Sequence, residues 1–157
     1  MRRRYFQAAG VILLLAATAW AARQYVEVTQ PDAASGRPGE KIEVSIPFKV
    51  LAGYHINSNK PTFDYMIATR MEWTKSSLQH LGESFPPPQM KAFGFSSGKK
   101  LAVYEGSQIL KTRLAIPANA APGKVTLEGK FRYQACDHQA CYPPNSLDVK
   151  VTVEIRK

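Results

Sequence analysis

A period-two alternation of apolar and polar residues is the feature that most constrains how this chain folds. From Ile42 to Val50 every second residue is apolar, and Glu, Ser, Pro or Lys occupies the positions between them. The same alternation returns over residues 125–133 and 149–155. It is typical of a strand with one face on a core. Shorter strands are predicted over residues 25–30, 68–73, 77–82 and 108–116, and no segment has a convincing helical period.

Turn-forming sequences rich in Gly, Pro, Ser and Asn separate these runs. About seven short strands divided by such turns are typical of two packed antiparallel sheets. We therefore predict an all-β chain with an immunoglobulin-like antiparallel β-sandwich as its single domain, which suits the length of 157 residues. The segment 93–106 has no clear period and is rich in Gly, Ser and Lys, so a mobile surface loop able to act as a lid is expected there.

The N-terminus has the form of an export signal. Three arginines at positions 2–4 precede an apolar stretch over residues 11–19, and Ala19-Trp20-Ala21 has the small-x-small form that signal peptidase accepts. A retained membrane anchor is the alternative, but the apolar run is much shorter than the roughly 20 residues that span a bilayer. We predict a signal peptide over residues 1–21, a mature domain over 22–157 and export from the cytoplasm.

Charge gives little support for a nucleic-acid partner. The formal charge is +9, and loss of the three arginines in residues 1–21 leaves +6. Lys99-Lys100 is the only adjacent lysine pair after the signal. Because a groove that binds nucleic acid needs clustered basic residues interleaved with aromatic ones, we expect no nucleic-acid binding.

The only two cysteines, Cys136 and Cys141, are separated by four residues. In an oxidising compartment, thiols this close form a disulfide or cycle between dithiol and disulfide. Closing so short a loop stabilises a fold by roughly 2 kcal/mol, against about 4 to 5 kcal/mol for a loop near 100 residues. A domain of this size can bury a core without a disulfide. The spacing therefore favours an exchanging pair.

Polar and aromatic residues surround the pair. A protonated His138 would lower the pKa of a neighbouring thiol, whereas Asp137 would raise it. Pro143 and Pro144 stiffen the exit from the pair and remove two backbone donors. The predicted surroundings of the site are Tyr133, Asp137, His138, Tyr142 and Pro143.

Other interpretations of the pair remain open at this stage. A structural disulfide would make the chain a non-catalytic binding module that uses the 93–106 segment or a basic face. Zinc or copper ligation would combine both cysteines with His138 and His55, although the Cys-x4-Cys gap is wider than usual for zinc. A Cys-His nucleophile lacks an evident third group to orient the base. His80 is interpreted as structural or exposed, and the preferred interpretation needs no metal and no cofactor.

Several motifs in order carry a family resemblance. They are Gly53-Tyr54-His55-Ile56-Asn57-Ser58-Asn59-Lys60-Pro61, Pro86-Pro87-Pro88, Val103-Tyr104-Glu105-Gly106, Pro122-Gly123, Tyr133-Gln134-Ala135-Cys136 and Cys141-Tyr142-Pro143-Pro144. Through them the mature chain resembles the N-terminal periplasmic domain of DsbD. The resemblance implies an immunoglobulin-like sandwich that takes electrons from a thioredoxin-like donor domain. It would pass them to oxidised periplasmic thiol-disulfide client proteins, including disulfide isomerases and the reductases serving cytochrome c maturation.

The resemblance also assigns roles to residues. It implies that Cys141 forms the mixed disulfide with partners and that Cys136 resolves it. The segment 101–104 corresponds to a cap loop that shields the active site in the family. Tyr104 matches the family aromatic, whereas Val103 stands where the best-known members often have Phe. His55 and Asn57 belong to the family pattern, and we expect both to order a turn by hydrogen bonding.

Family members continue into membrane and thioredoxin domains, whereas this sequence stops at Lys157. We therefore expect the electron donor to be another polypeptide, with a separate membrane electron transporter as a further candidate partner. The chain itself is expected to be a monomer.

Overall fold

The computed structural model describes residues 23–157, which form strands and one short 3-10 helix. The predicted signal peptide lies outside the described residues. Within the described part of the chain, no helix has the length and apolar character needed to cross a bilayer.

Within residues 23–157, twelve strands follow one another. Their bounds are β1 Val26–Val28, β2 Ala34–Gly36, β3 Lys41–Val50, β4 His55–Asn57, β5 Arg70–Trp73, β6 Gln79–Ser84, β7 Gln89–Ala92, β8 Lys100–Tyr104, β9 Ser107–Ala115, β10 Gly123–Tyr133, β11 Ala135–Cys136 and β12 Asn145–Ile155. The 3-10 helix spans Gly94–Ser96, between β7 and β8.

The strands form three four-stranded sheets, in the orders β1-β3-β9-β6, β2-β12-β10-β5 and β11-β4-β8-β7. One hydrophobic core joins residues of the first two sheets and also takes in Ile56, Tyr104 and Ala135 from the third. Neighbouring strands are antiparallel except β2, which pairs parallel with the end of β12. The predicted immunoglobulin-like sandwich is confirmed.

The alternating sequence runs account for this core. In β3 the side chains of Val44, Ile46, Phe48 and Val50 are buried, and Ser45 and Lys49 between them are exposed. In β12 the same alternation buries Val149, Val151, Val153 and Ile155. Complete burial of one such side chain contributes about 1.5–3 kcal/mol, so these two strands alone anchor much of the fold.

The prediction of a mobile surface loop over residues 93–106 is wrong. The segment contains the 3-10 helix and strand β8, in which Leu101, Ala102, Val103 and Tyr104 are all buried. Strand β8 lies between β4 and β7 in the third sheet. Both of its faces are buried, so apolar residues follow one another and no period-two alternation marks it as a strand. Strand β4 is buried along its whole length and was missed because three residues are too few to show a period.

Gly129 allows Trp73 to lie against strand β10. The two residues are direct partners in the β5–β10 pairing, and a Cβ at position 129 would lie 2.4 Å from Cε3 of Trp73 and 2.9 Å from the carbonyl oxygen of Glu72. No real side chain tolerates such contacts, so the indole occupies the space that a larger residue would need.

We expect Gly129→Ala to lower the free energy of unfolding by about 1–3 kcal/mol, because the indole or the β5 backbone must move. Urea unfolding measures this change. Gly94→Ala is the matched control, since its Cβ would meet nothing closer than the His138 carbonyl oxygen at 3.7 Å. Equal stability of the two variants would contradict the packing argument.

Candidate functional site

The two cysteines face each other across a short hairpin. Strand β11 ends at Cys136, the chain turns at His138 and Gln139, and Cys141 pairs back with Cys136 in an isolated antiparallel bridge. The Asp137 N–H donates to the Ala140 carbonyl at 2.9 Å, and the Tyr142 N–H donates to the Ala135 carbonyl at 2.8 Å. A disulfide joins the cysteines, whose Cα atoms are 3.9 Å apart. The bond therefore lies across the hairpin immediately before its turn.

The Asp137 carboxylate organises this turn. It accepts the N–H groups of Gln139 at 2.7 Å and Ala140 at 2.8 Å, and its second oxygen accepts the Tyr142 hydroxyl at 2.5 Å. The Tyr142 hydrogen bond, followed by the two backbone N–H groups, lowers the pKa of Asp137 to about 2. The same contact raises the pKa of Tyr142 to about 12. Asp137 therefore stays ionised and holds the loop that separates the cysteines.

Tyrosine rings support the hairpin from the sandwich side. The Tyr142 ring stacks on Tyr25 with centroids 4.6 Å apart and meets Tyr54 edge-on at 5.9 Å. Tyr133 is buried, its hydroxyl accepts the Tyr25 N–H at 3.4 Å, and burial raises its pKa. Pro143 is exposed at the exit from the hairpin. The tyrosines predicted around the site thus anchor the hairpin to the core.

The two cysteines differ sharply in exposure. Cys136 has no accessible surface, whereas Cys141 is exposed, as is His138 in the turn. Disulfide exchange requires a thiolate to approach one of the two sulfurs directly. Of the two residues, only Cys141 is open to a partner.

A cleft of about 610 Å³ opens beside Cys141. Its apolar lining comes from Phe63, Met66, Phe95 and Leu101. Tyr65 on its rim is 82% exposed, and the ring of Phe63 stacks against it with centroids 5.3 Å apart. Sequence reasoning missed this cleft because its residues come from separate loops and strands that only the fold brings together.

His55 lies directly opposite Cys136 in the β4–β11 pairing. Its ring stacks on Phe93 with centroids 3.8 Å apart and an interplanar angle of 14°. Its Nε2 atom is buried without a hydrogen-bond partner among residues 23–157. Burial is the largest of the causes that together lower the pKa of His55 to about 4. The predicted hydrogen-bonding role is therefore wrong at this nitrogen, since stacking holds the ring.

Asn57, two residues further along β4, does order the neighbouring chain by hydrogen bonding. Its Nδ2 group donates to the Ile67 carbonyl at 3.0 Å and to Oε1 of Gln134 at 3.3 Å. This part of the prediction is confirmed. The contact to Gln134 ties β4 to the residue that precedes the cysteine hairpin.

The two residues aligned with the family cap are buried in β8. Val103 packs with Phe93 and Leu101, whereas Tyr104 packs in the main core and its hydroxyl donates to Oδ1 of Asn59 at 2.6 Å. Their capping role stays a prediction. Phe95 lies in the preceding 3-10 helix and Phe93 immediately before it. Both rings stack with His55, and neither residue was predicted as part of the site.

The described residues contain no group of three or more His, Cys, Asp or Glu side chains placed to hold a metal ion. Cys136 and Cys141, two of the ligands considered in the metal interpretation, are joined to each other.

A family model described as the N-terminal part of the thiol:disulfide interchange protein DsbD matches residues 23–153, which contain strands β1 to β11, most of β12 and both cysteines. The chain belongs to this DsbD N-terminal domain family. Membership together with the Cys136–Cys141 disulfide supports a general role in thiol-disulfide exchange.

Some solved structures are similar to the chain at low sequence identity. The reduced N-terminal domain of DsbD from Neisseria meningitidis is 19% identical, with a TM-score of 0.42 over 79% of this chain and 84% of that one. The seventh ScaB type I cohesin from Pseudobacteroides cellulosolvens is 11% identical, with a TM-score of 0.47 over 85% of this chain and 94% of that one. Comparison with curated proteins gives no match.

We expect Tyr142→Phe to raise the pKa of Asp137 from about 2 towards its ordinary value of 3.8, because the variant loses the strongest hydrogen bond to the carboxylate. A depressed folded-state pKa stabilises the fold above pH 4, and this contribution is lost as the pH falls from about 4 to about 2. The free energy of unfolding of Tyr142→Phe should therefore fall less than that of the wild type between pH 4 and pH 2. An NMR titration of the Asp137 carboxyl measures the pKa, and Tyr54→Phe is the control. An unchanged pKa in Tyr142→Phe would refute the assignment.

We expect acid to destabilise the oxidised protein through His55. The pKa of His55 is 6.5 when unfolded and about 4 when folded, so between these values the unfolded chain binds the extra proton. The free energy of unfolding should therefore fall by about 3 kcal/mol as the pH drops through this window. His55→Phe should abolish most of the fall, and His80→Phe, on the exposed face of β6, should retain it. Urea unfolding near neutrality and near pH 4 measures the difference.

Proposed function

We propose that the protein is an exported thiol-disulfide exchange protein of the periplasm. It would relay reducing equivalents from a thioredoxin-like donor to oxidised periplasmic thiol proteins through the Cys136–Cys141 pair. The observation that carries this proposal is the unequal exposure of the two cysteines, one buried and one open beside a cleft. A disulfide that serves only to hold a loop has no need of an open sulfur next to a concave apolar surface.

Reduction of the protein begins when a donor thiolate attacks Sγ of Cys141. A mixed disulfide forms between donor and Cys141, the Cys136–Cys141 bond breaks, and Cys136 leaves as a thiolate that takes up a proton. The second donor thiol, as its thiolate, then attacks the donor's own sulfur in the mixed disulfide. Cys141 is released, the donor is oxidised to its disulfide, and two electrons and two protons have moved to this protein.

Delivery to a client repeats these steps in the opposite direction. The Cys141 thiolate attacks the client disulfide and forms the mixed disulfide, and one client sulfur leaves and is protonated. Cys136 then attacks Sγ of Cys141 and restores the internal disulfide, and the client departs with both of its sulfurs reduced. The short hairpin supports this step because it holds Cys136 opposite Cys141.

The cleft beside Cys141 supports docking of both partners. Its apolar rings come from chain segments near residues 63–66 and 95–101, and the exposed Tyr65 extends this surface at the rim. Aromatic residues next to a concave surface provide the buried contacts that dominate binding energies. The carboxylate of Asp137 keeps the hairpin turn in place beneath such a partner.

We expect Cys136→Ser to trap a mixed disulfide through Cys141 when the reduced variant meets an oxidised thioredoxin-like protein, because the resolving sulfur is gone. Cys141→Ser should trap none, since Cys136 is buried. Non-reducing electrophoresis followed by peptide mass spectrometry measures the adduct and identifies the sulfur. Serine replaces sulfur by oxygen in both variants, so each is the matched control of the other.

Two outcomes would contradict the proposal. Trapping through Cys136 would reverse the assigned roles of the two cysteines. If neither variant forms an adduct, the disulfide is structural and the chain is a binding module. In that case the double variant should lose about 2 kcal/mol of stability at most and keep its partner.

A further inference from the structure

The buried histidine of strand β4 has a position that the exchange steps above leave unexplained. His55 and Cys136 are direct partners in an antiparallel pair, and such partners point to the same face with Cβ atoms about 4.5–5.5 Å apart. His55 is 2% exposed and Cys136 is 0% exposed. The imidazole therefore shares a buried site with the cysteine that no partner can reach.

The polar atom of this imidazole is not used by the fold. Nε2 has no hydrogen-bond partner among the described residues, although buried polar groups are almost always paired. The flat stacking of the ring on Phe93 would be supplied equally well by a phenyl side chain. A histidine at this position thus carries an unsatisfied nitrogen that packing alone does not require.

The reduced cysteine offers a candidate partner for this nitrogen. In the disulfide, Cys136 has no proton to donate, whereas the free thiol is an S–H donor. The thiol must also lose its proton before Cys136 can attack, because the thiolate is the nucleophile. We propose that His55 is the proton acceptor for Cys136, taking the thiol proton on Nε2 as Cys136 resolves the mixed disulfide held by Cys141.

The step balances in protons and electrons. As Nε2 takes the proton, Sγ of Cys136 bonds to Sγ of Cys141, the bond between Cys141 and the client breaks, and the client sulfur leaves as a thiolate. The client thiolate then receives a proton from the imidazolium directly or through water. Two electrons pass from this protein to the client, and His55 returns to its neutral form.

Burial, rather than the charges around the ring, keeps His55 in its neutral form. Glu105 lies at the end of β8 and pairs with Lys91 of β7, while Asp137 and His138 approach from the hairpin turn. The two acids raise the pKa of His55, the two bases lower it, and burial outweighs both. The imidazole is therefore neutral near pH 7, the form in which one ring nitrogen can accept a proton.

This inference rests on the proposed function, and one assay separates the two. The reduced protein is mixed with one equivalent of a pyridyl disulfide, which releases one thione when Cys141 attacks and a second when Cys136 resolves the adduct. We expect His55→Phe to leave the first release unchanged and to slow the second about 100-fold near pH 7, at the lower end of the range for general acid–base catalysis. His55→Gln should slow it similarly, and it covers the case in which the phenyl variant does not fold.

The controls make each result decisive. His80→Phe makes the same chemical change on β6 and should leave both releases unchanged. In the wild type the rate of the second release should fall as the pH drops through the range in which His55 becomes protonated. In His55→Phe the pH dependence of this rate should reflect only the ionisation of the Cys136 thiol. If His55→Phe and His55→Gln both resolve as fast as the wild type, the histidine assignment is overturned and exchange stands. If the wild type gives no first release, the proposed function itself is refuted.

Discussion

The long antiparallel ladder between β10 and β12 is the constraint on which the redox site depends. Every residue of β10 pairs with one of β12, from Gly123 with Ile155 to Tyr133 with Asn145. The chain leaves this ladder at Tyr133 and rejoins it at Asn145, so both ends of the cysteine segment are clamped by the most extensive strand pairing of the sandwich. The ladder therefore fixes the base of the cysteine hairpin, and the hydrogen bonds of Asp137 fix its turn.

That rigid base explains how one short loop combines a buried and an exposed sulfur. Cys136 continues into the third sheet by pairing with β4, whereas Cys141 lies beyond the turn and outside any strand. The disulfide therefore runs from the edge of the core to the surface. Thiol chemistry is confined to one side of the bond, because a thiolate in solution can reach Cys141 but not Cys136.

The buried imidazole shows what the fold gives up for such a site. An unpaired buried polar atom costs about 1–3 kcal/mol, and the Phe93 ring that stacks on the imidazole would pack against an apolar side chain without that cost. Such local losses are expected where a structure serves chemistry rather than stability. The lost stability is small beside the burial contributed by β3, β10 and β12, so the sandwich tolerates it.

The sequence by itself determined the fold class and the position of the cysteine pair. Alternation over residues 42–50, 125–133 and 149–155 places one face of each strand on a core, and two neighbouring cysteines admit few alternatives. Tertiary structure decided the rest. Strand β8 is buried on both faces, so its sequence lacks alternation, and β4 has only three residues. The pairing of His55 with Cys136 joins residues 81 positions apart. Contacts of that range depend on strand register and sheet packing, which local sequence patterns do not encode.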